Sequence, residues 1–131
     1  MTECCPVSGS SYIIRTTKKP HRILGLKNGQ TEVLEKPIPG GGNLWHCHDK
    51  NNWYGFCNSV SGTYLSHNEG GKVLATKNSL EIDECFVPRR EKGGGYILLT
   101  CHEKELLQVA ISDDGKSLVE KKEGGEAWEF I

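Results

Sequence analysis

Three short segments decide the fold: Tyr12-Ile13-Ile14, Tyr54-Gly55-Phe56 and Tyr96-Ile97-Leu98. Their tyrosines lie 42 residues apart, and each is followed two positions later by a second apolar residue. Because successive side chains of a strand point to opposite faces, this spacing places both members of each pair on one face. A fixed period of this length predicts three copies of one unit that build a common core.

Each copy contains further apolar segments in the same order. The next segments are centred on Leu24, Leu65 and Leu107, and after a turn come segments that contain Val33, Val73 and Leu118. The turns contain Asn28-Gly29, Gly70-Gly71 and Asp114-Gly115, residues that tolerate the positive φ of tight hairpins. Each copy closes on two side chains spaced by two: Trp45 and Cys47, Cys85 and Val87, Trp128 and Phe130. We predict an all-β protein with four strands per copy.

Length and charge limit the organisation and the partners. The 131 residues predict one domain over residues 1–131, with repeats at approximately 8–52, 53–94 and 95–131. Lys and Arg total 16 against 17 Asp and Glu, so the sequence lacks the basic balance typical of nucleic-acid binding. Apolar runs such as residues 96–99 are too short for a membrane-spanning helix, and residues 1–6 do not resemble a secretory signal. We expect a cytoplasmic protein with neither nucleic acid nor membrane as partner.

The cysteines are interpreted as thiols. Four of the six lie in or next to apolar segments: Cys47, Cys57, Cys85 and Cys101. Disulfide frameworks belong to secreted chains, and the expected cytoplasmic location argues against one here. We therefore expect these four to behave as small unpaired hydrophobic residues.

Three blocks carry a resemblance to a known superfamily. They are Trp53-Tyr54-Gly55-Phe56 with Ser61-Gly62-Thr63-Tyr64-Leu65, then residues 94–99, then residues 124–131. Together they resemble the β-trefoil superfamily, and within it the small single-domain fascin-like proteins typical of fungi. The resemblance implies a six-stranded barrel capped by three hairpins with pseudo-threefold symmetry. It also implies a non-enzymatic binding module with actin or another acidic protein surface as the partner.

Two basic groups and one tryptophan are the candidate ligand-binding residues. The predicted set is Arg15, Lys18, Lys19 and Arg22 in the first copy, Trp53 in the second, and Arg89, Arg90 and Lys92 at the next junction. Clustered cations attract an acidic partner and speed its association. This set therefore fits an acidic protein surface such as that of actin.

Two other functions remain open from the sequence. Trp53 and Tyr54 provide a stacking surface for a carbohydrate, although the Gln-x-Trp motif of sugar-binding trefoils is missing. His46 and His48 share one strand face and, with the thiols, suggest a metal or redox role. A zinc site needs a third ligand, for which His21, His67 and His102 are the candidates. The sequence has no Gly-x-Ser-x-Gly and no P-loop, so we predict no enzyme activity, no cofactor and no assigned metal.

Overall fold

The computed structural model describes residues 6–27, 30–37, 42–50, 53–68, 70–78, 84–102 and 105–131. Within these ranges the chain forms twelve strands: β1 Ser11–Thr16, β2 Ile23–Lys27, β3 Gln30–Leu34, β4 Leu44–Lys50, β5 Trp53–Asn58, β6 Tyr64–His67, β7 Val73–Lys77, β8 Phe86–Arg90, β9 Tyr96–Cys101, β10 Leu106–Ile111, β11 Leu118–Lys121 and β12 Trp128–Phe130. A helix able to cross a membrane is not found in the described ranges. The predicted turn at Asn28-Gly29 lies outside them.

Six strands close into an antiparallel barrel. β1 pairs with β4, β4 with β5, β5 with β8, β8 with β9, β9 with β12, and β12 returns to β1. Each barrel strand therefore has a neighbour on both sides, which removes the open edges that favour aggregation. The first repeat consists of β1–β4, the second of β5–β8 and the third of β9–β12.

Three hairpins cap the barrel. β2–β3, β6–β7 and β10–β11 extend from the first strand of their repeats, β1, β5 and β9. Hydrogen bonds join them to one another: the Thr31 hydroxyl donates to the Val73 carbonyl at 2.7 Å, and the Glu120 amide donates to the Gly71 carbonyl at 2.8 Å. This barrel with its triangular cap is a β-trefoil, which confirms the predicted fold.

The fourth strands place large aromatic residues at equivalent positions in the core. Trp45, Phe86 and Trp128 are all buried. Each lies opposite a tyrosine of its own repeat: Tyr12, Tyr54 and Tyr96 respectively. The predicted closing pair Cys85 and Val87 is therefore wrong by one residue, since Phe86 holds the core position. Residues 85–87 are all apolar, and such a run does not reveal which side chains face inward.

The register of the hairpins also differs from the prediction. Leu24 lies opposite Val33, Leu65 opposite Ala75 and Val109 opposite Glu120. Buried Val109, and not half-buried Leu107, is thus the third-repeat counterpart of Leu24 and Leu65. The distance along the chain from Thr100 to Val109 is two residues longer than that from Asn58 to Leu65. A constant period of about 42 residues therefore aligned Leu107, instead of Val109, with Leu24 and Leu65. By the same register, Val33 is equivalent to Ala75 and Glu120, and not to Val73 and Leu118.

Buried polar side chains fix the loops that follow the first strands. Thr16, Asn58 and Thr100 occupy equivalent positions 42 residues apart, and all three are buried. The Thr16 hydroxyl accepts a hydrogen bond from the Arg22 amide at 2.9 Å, and the Asn58 side-chain oxygen accepts one from the Val60 amide at 3.0 Å. Thr16 and Asn58 thus find the partners that buried polar groups need in the loops that follow their strands, and these hydrogen bonds help to hold the two loops in place.

The two core tryptophans differ in their hydrogen bonds. Trp45 Nε1 donates to the Leu24 carbonyl at 3.1 Å. Trp128 Nε1 is buried with no acceptor among the described residues. The carbonyl of Val109, the counterpart of Leu24, instead accepts the Glu126 amide at 3.0 Å.

We expect Trp45→Phe to destabilise the protein by about 2 kcal/mol more than Trp128→Phe. The Trp45 substitution breaks a buried hydrogen bond, whereas the Trp128 substitution removes a buried donor that has no acceptor. Phe86 shows that phenylalanine is compatible with this position of the fold. Urea denaturation of the two variants measures the difference. Equal losses of stability, or a larger loss for Trp128→Phe, would contradict this explanation.

Candidate functional site

A cavity of about 210 Å³ lies where the first and third repeats meet. One wall is formed by Thr17 and Lys18 after β1, and another by Glu91, Gly93 and Gly94 between β8 and β9. The third wall is residues 125–127, which precede β12. Three segments that are distant in sequence therefore meet around one opening.

Backbone hydrogen bonds hold these walls in place. The Thr17 amide donates to the Ala127 carbonyl at 3.1 Å, which joins the first wall to the third. The Glu91 amide donates to the Gly95 carbonyl at 2.9 Å and closes the turn of the second wall. Gly95 has a φ of +78°, and a Cβ there would lie 2.9 Å from the Trp128 carbonyl oxygen. This close approach requires glycine.

The cavity lining combines charged, polar and apolar groups. Glu91 and Glu126 provide carboxylates, Lys18 provides an exposed amine, and Ile97 is a buried apolar residue. One oxygen of Glu91, Oε1, accepts a hydrogen bond from Arg89 at 3.1 Å. The cavity therefore offers hydrogen-bond acceptors and donors next to an apolar surface.

The structure brings few of the predicted basic residues together. Lys18 lines the cavity, and Arg89 lies next to it through its ion pair with Glu91. Arg15 pairs instead with Glu129 at 2.6 Å, on the strand pair β1–β12. Exposed or partly exposed cations make up the rest: Lys19, Arg22, Arg90 and Lys92. Two of the predicted cations are thus paired with carboxylates, which reduces the charge that they offer to a partner.

The two predicted stacking residues lie on opposite faces of β5. Tyr54 packs against the core, whereas Trp53 is half-buried on the outer face. His46 and His48 share that outer face, with ring centroids 4.6 Å apart, and the His48 ring lies 5.8 Å from the Tyr64 ring. We call His46, His48, Trp53 and Tyr64 the outer aromatic strip.

The histidines considered as third metal ligands lie in other arrangements. His21 Nδ1 lies 2.7 Å from the Thr16 carbonyl oxygen, within hydrogen-bonding distance. His67 and His102 are neighbours of each other, with ring centroids 4.3 Å apart. His102 also contacts Glu120, which sequence reasoning did not identify. The structure therefore places a histidine cluster between the second and third hairpins.

The cysteines differ in exposure. The structure has Cys47, Cys57, Cys85 and Cys101 as thiols, and only Cys57 among these four is partly exposed. Burial, and to a lesser degree the neighbouring Cys85, raises the pKa of Cys101 to about 12. Burial also raises the pKa of the Cys57 thiol. Because the thiolate is the reactive form, these environments do not favour a nucleophilic cysteine.

Comparison with known proteins places the chain in a fold and not in a family. No protein-family model and no curated protein matches the sequence. A mosquitocidal holotoxin is 16% identical with a TM-score of 0.79; the match covers 95% of this chain but only 17% of the toxin chain. The designed threefold-symmetric protein ThreeFoil is 16% identical with a TM-score of 0.71, over 92% and 97% of the two chains. SeviL, solved bound to asialo-GM1 saccharide, is 14% identical with a TM-score of 0.75, over 95% and 98%.

Thiol labelling at pH 8 should modify Cys57 before Cys47, Cys85 and Cys101. With a pKa of about 12, only about one Cys101 in 10⁴ is thiolate at this pH, and burial blocks reagent access as well. Peptide mapping by mass spectrometry after brief alkylation measures the order. Unfolded protein is the control, in which all four should react. Labelling of Cys101 in the folded protein as early as Cys57 would show that the barrel opens at this point.

Proposed function

We propose that the protein is a non-catalytic binding module that holds a carbohydrate in the cavity between its first and third repeats. The observation that carries the proposal is a lining that combines two glutamates, a lysine and a threonine with the apolar Ile97. A saccharide-bound structure of the same fold, SeviL, supports this choice of ligand class. The fold alone does not determine a ligand, so the proposal depends on the chemistry of the cavity.

Sugar hydroxyls match this set of groups. Each hydroxyl both donates and accepts, and carboxylates accept while the Lys18 amine donates. Hydrogen bonds to charged groups are stronger than neutral ones. Gly93 and Gly94 add backbone to the lining, and Ile97 provides an apolar contact for the C–H face of a sugar ring. The cavity can thus bond to several hydroxyls of one ring together.

The size of the cavity limits the ligand to a small unit. Its volume of about 210 Å³ lies below the roughly 300–1,000 Å³ typical of sites for drug-sized molecules. A single monosaccharide, or the terminal residue of a longer glycan, fits this volume better than an internal segment of a polymer. We therefore expect recognition of a glycan end.

Actin, the partner implied by the fascin-like resemblance, is the weaker candidate. Arg15 and Arg89 are paired with carboxylates, and the chain has a net charge of −1. Of the remaining cations, Lys19 and Arg22 lie between β1 and β2, Arg90 ends β8, and Lys92 follows it. The outer aromatic strip is a second possible sugar surface, because half-buried Trp53 retains an accessible face.

Substitutions in the cavity should distinguish these surfaces. A glycan array identifies the ligand, and calorimetry then compares Lys18→Ala and Glu126→Gln with the unmodified protein. We expect each variant to bind about 10–100-fold more weakly, because each loses hydrogen bonds that involve a charged group. Glu123→Gln is the matched control, since Glu123 is exposed and does not line the cavity.

The same experiment contains the outcomes that would reject the proposal. Loss of glycan binding in Trp53→Ala, with Lys18→Ala and Glu126→Gln unaffected, would move the site to the outer aromatic strip. Co-sedimentation with filamentous actin at low salt, together with no binding on the array, would reject a carbohydrate ligand. Circular dichroism of every variant confirms that the barrel is intact.

A further inference from the structure

His67, His102 and Glu120 form a compact cluster away from the cavity. Their ligand-type atoms all lie within 4.8 Å of one another. His102 Nε2 is 2.7 Å from Glu120 Oε2, and His67 Nδ1 is 3.8 Å from Glu120 Oε1. The side chains of Glu120 and His67 are only 2% and 6% exposed. Two imidazoles and a carboxylate thus surround one buried point.

Glu120 departs from the internal symmetry of the fold. The register of the hairpins makes it the counterpart of Val33 and Ala75, which contact or belong to the hydrophobic core. The third repeat therefore has a carboxylate where the other two have apolar side chains. Burial of a charge is costly unless the charge is paired or binds a metal. A cation, a proton or a set of hydrogen bonds must therefore compensate the carboxylate at this position.

His67 departs in the same way. In the second hairpin His67 lies opposite Val73. The same position is occupied by Leu26, opposite Thr31, in the first hairpin and by Ile111, opposite Leu118, in the third. Leu26 and Ile111 both pack against the core. The second repeat therefore has a histidine at one apolar position and the third repeat has a glutamate at another, and these two side chains meet between the hairpins.

The hydrogen bond of His67 Nε2 leaves the lone pair of Nδ1 facing Glu120. His67 Nε2 lies 3.2 Å from the Cys101 carbonyl oxygen, which only accepts hydrogen bonds, so this nitrogen carries the proton. In the neutral ring Nδ1 then has a lone pair, and Nδ1 is the atom that faces Glu120. A carbonyl that binds the second nitrogen is a regular feature of metal-binding histidines.

A hydrogen bond from Thr100 holds the Glu120 carboxylate. The fully buried hydroxyl of Thr100 donates a hydrogen bond to Glu120 Oε2. His102 Nε2 lies 2.7 Å from the same oxygen and donates to it, so an ion that binds this nitrogen displaces its proton. Glu120 Oε1 remains directed at His67. The His102 side chain is 30% exposed, so the cluster opens to solvent on the side of His102. A bound ion could hold a water molecule there as its fourth ligand.

We propose that His67 Nδ1, His102 Nε2 and a Glu120 carboxylate oxygen bind a divalent transition-metal ion, with zinc as the best match. Two imidazoles and one carboxylate are a known zinc ligand set that leaves a fourth position open. Bonds of about 2.0–2.2 Å in tetrahedral geometry place neighbouring ligand atoms about 3.3–3.5 Å apart. His102 Nε2 lies 2.7 Å from Oε2 of Glu120 and His67 Nδ1 lies 3.8 Å from Oε1, and the ligand-type atoms of all three residues lie within 4.8 Å of one another. Side-chain shifts of about 1 Å would therefore bring one carboxylate oxygen and the two nitrogens to the separations of a tetrahedral site.

Such an ion would link the second and third repeats. His67 lies at the end of β6 and Glu120 lies in β11, while His102 directly follows β9. The two hairpins already share the hydrogen bond from the Glu120 amide to the Gly71 carbonyl. Metal binding adds a further connection at the same junction, independent of the proposed carbohydrate site.

Metal titration of the whole chain tests the site. Protein treated with a chelator and then titrated calorimetrically with Zn²⁺ should bind one ion per chain. We expect Glu120→Gln and His102→Ala to weaken binding at least 100-fold. Thr100→Val, which only orients the carboxylate, should weaken it by about 10–100-fold. The Co²⁺-loaded protein should show d–d absorption without a thiolate charge-transfer band, because no cysteine is a ligand.

Two further variants separate the site from general loss of structure. The double variant His67→Leu with Glu120→Val introduces the residues of the first repeat; it should fold and bind no zinc. The double variant His46→Ala with His48→Ala removes the other histidine pair and should bind zinc normally. No zinc bound by the unmodified protein would overturn the proposal. Unchanged binding by Glu120→Gln would overturn it as well.

Discussion

The barrel closes because the fourth strand of each repeat pairs on one side with the first strand of its own repeat and on the other with the first strand of the next. β4 joins β1 to β5, β8 joins β5 to β9, and β12 joins β9 to β1. A single repeat therefore leaves its fourth strand half-paired and its aromatic side chain uncovered. The hydrophobic core and the backbone hydrogen bonds are completed together, and only when all three repeats are present.

This constraint explains which parts of the fold could be predicted. Tyr12, Tyr54 and Tyr96 recur at a constant period because each must pack at the same place beside the fourth strand. The repeat period predicted the wrong register at two places. At Cys85 to Val87 the sequence does not alternate between apolar and polar residues, and before Val109 the connection between strands has a different length from those of the other repeats. Neither error changed the predicted architecture, since the number and order of the strands survive a shift of one or two residues.

The cavity and the histidine cluster were harder to predict from the sequence than the fold, for two reasons. The cavity is formed by three distant segments and partly by backbone, and of its lining residues only Lys18 belonged to the predicted ligand-binding set. The histidine cluster had a signal in the sequence, because Glu120 stands where the other copies have Val33 and Ala75. That signal depends on the register of the third hairpin. With Leu107 aligned to Leu24, Val33 matched Leu118 and the departure at Glu120 was hidden.

Departures from symmetry differ in what they reveal about function. A charge in an exposed loop, such as Lys19 or Lys92, costs almost no folding free energy and persists without a role. A buried carboxylate in a core position costs several kcal/mol unless a cation, a proton or a hydrogen-bond network compensates it. Glu120 has a partner histidine on each side and Thr100 to orient it. In a trefoil, the residues that repeat in all three copies build the scaffold. A buried polar residue that breaks this repeat and has compensating partners is therefore stronger evidence for a site than a cluster of surface charge.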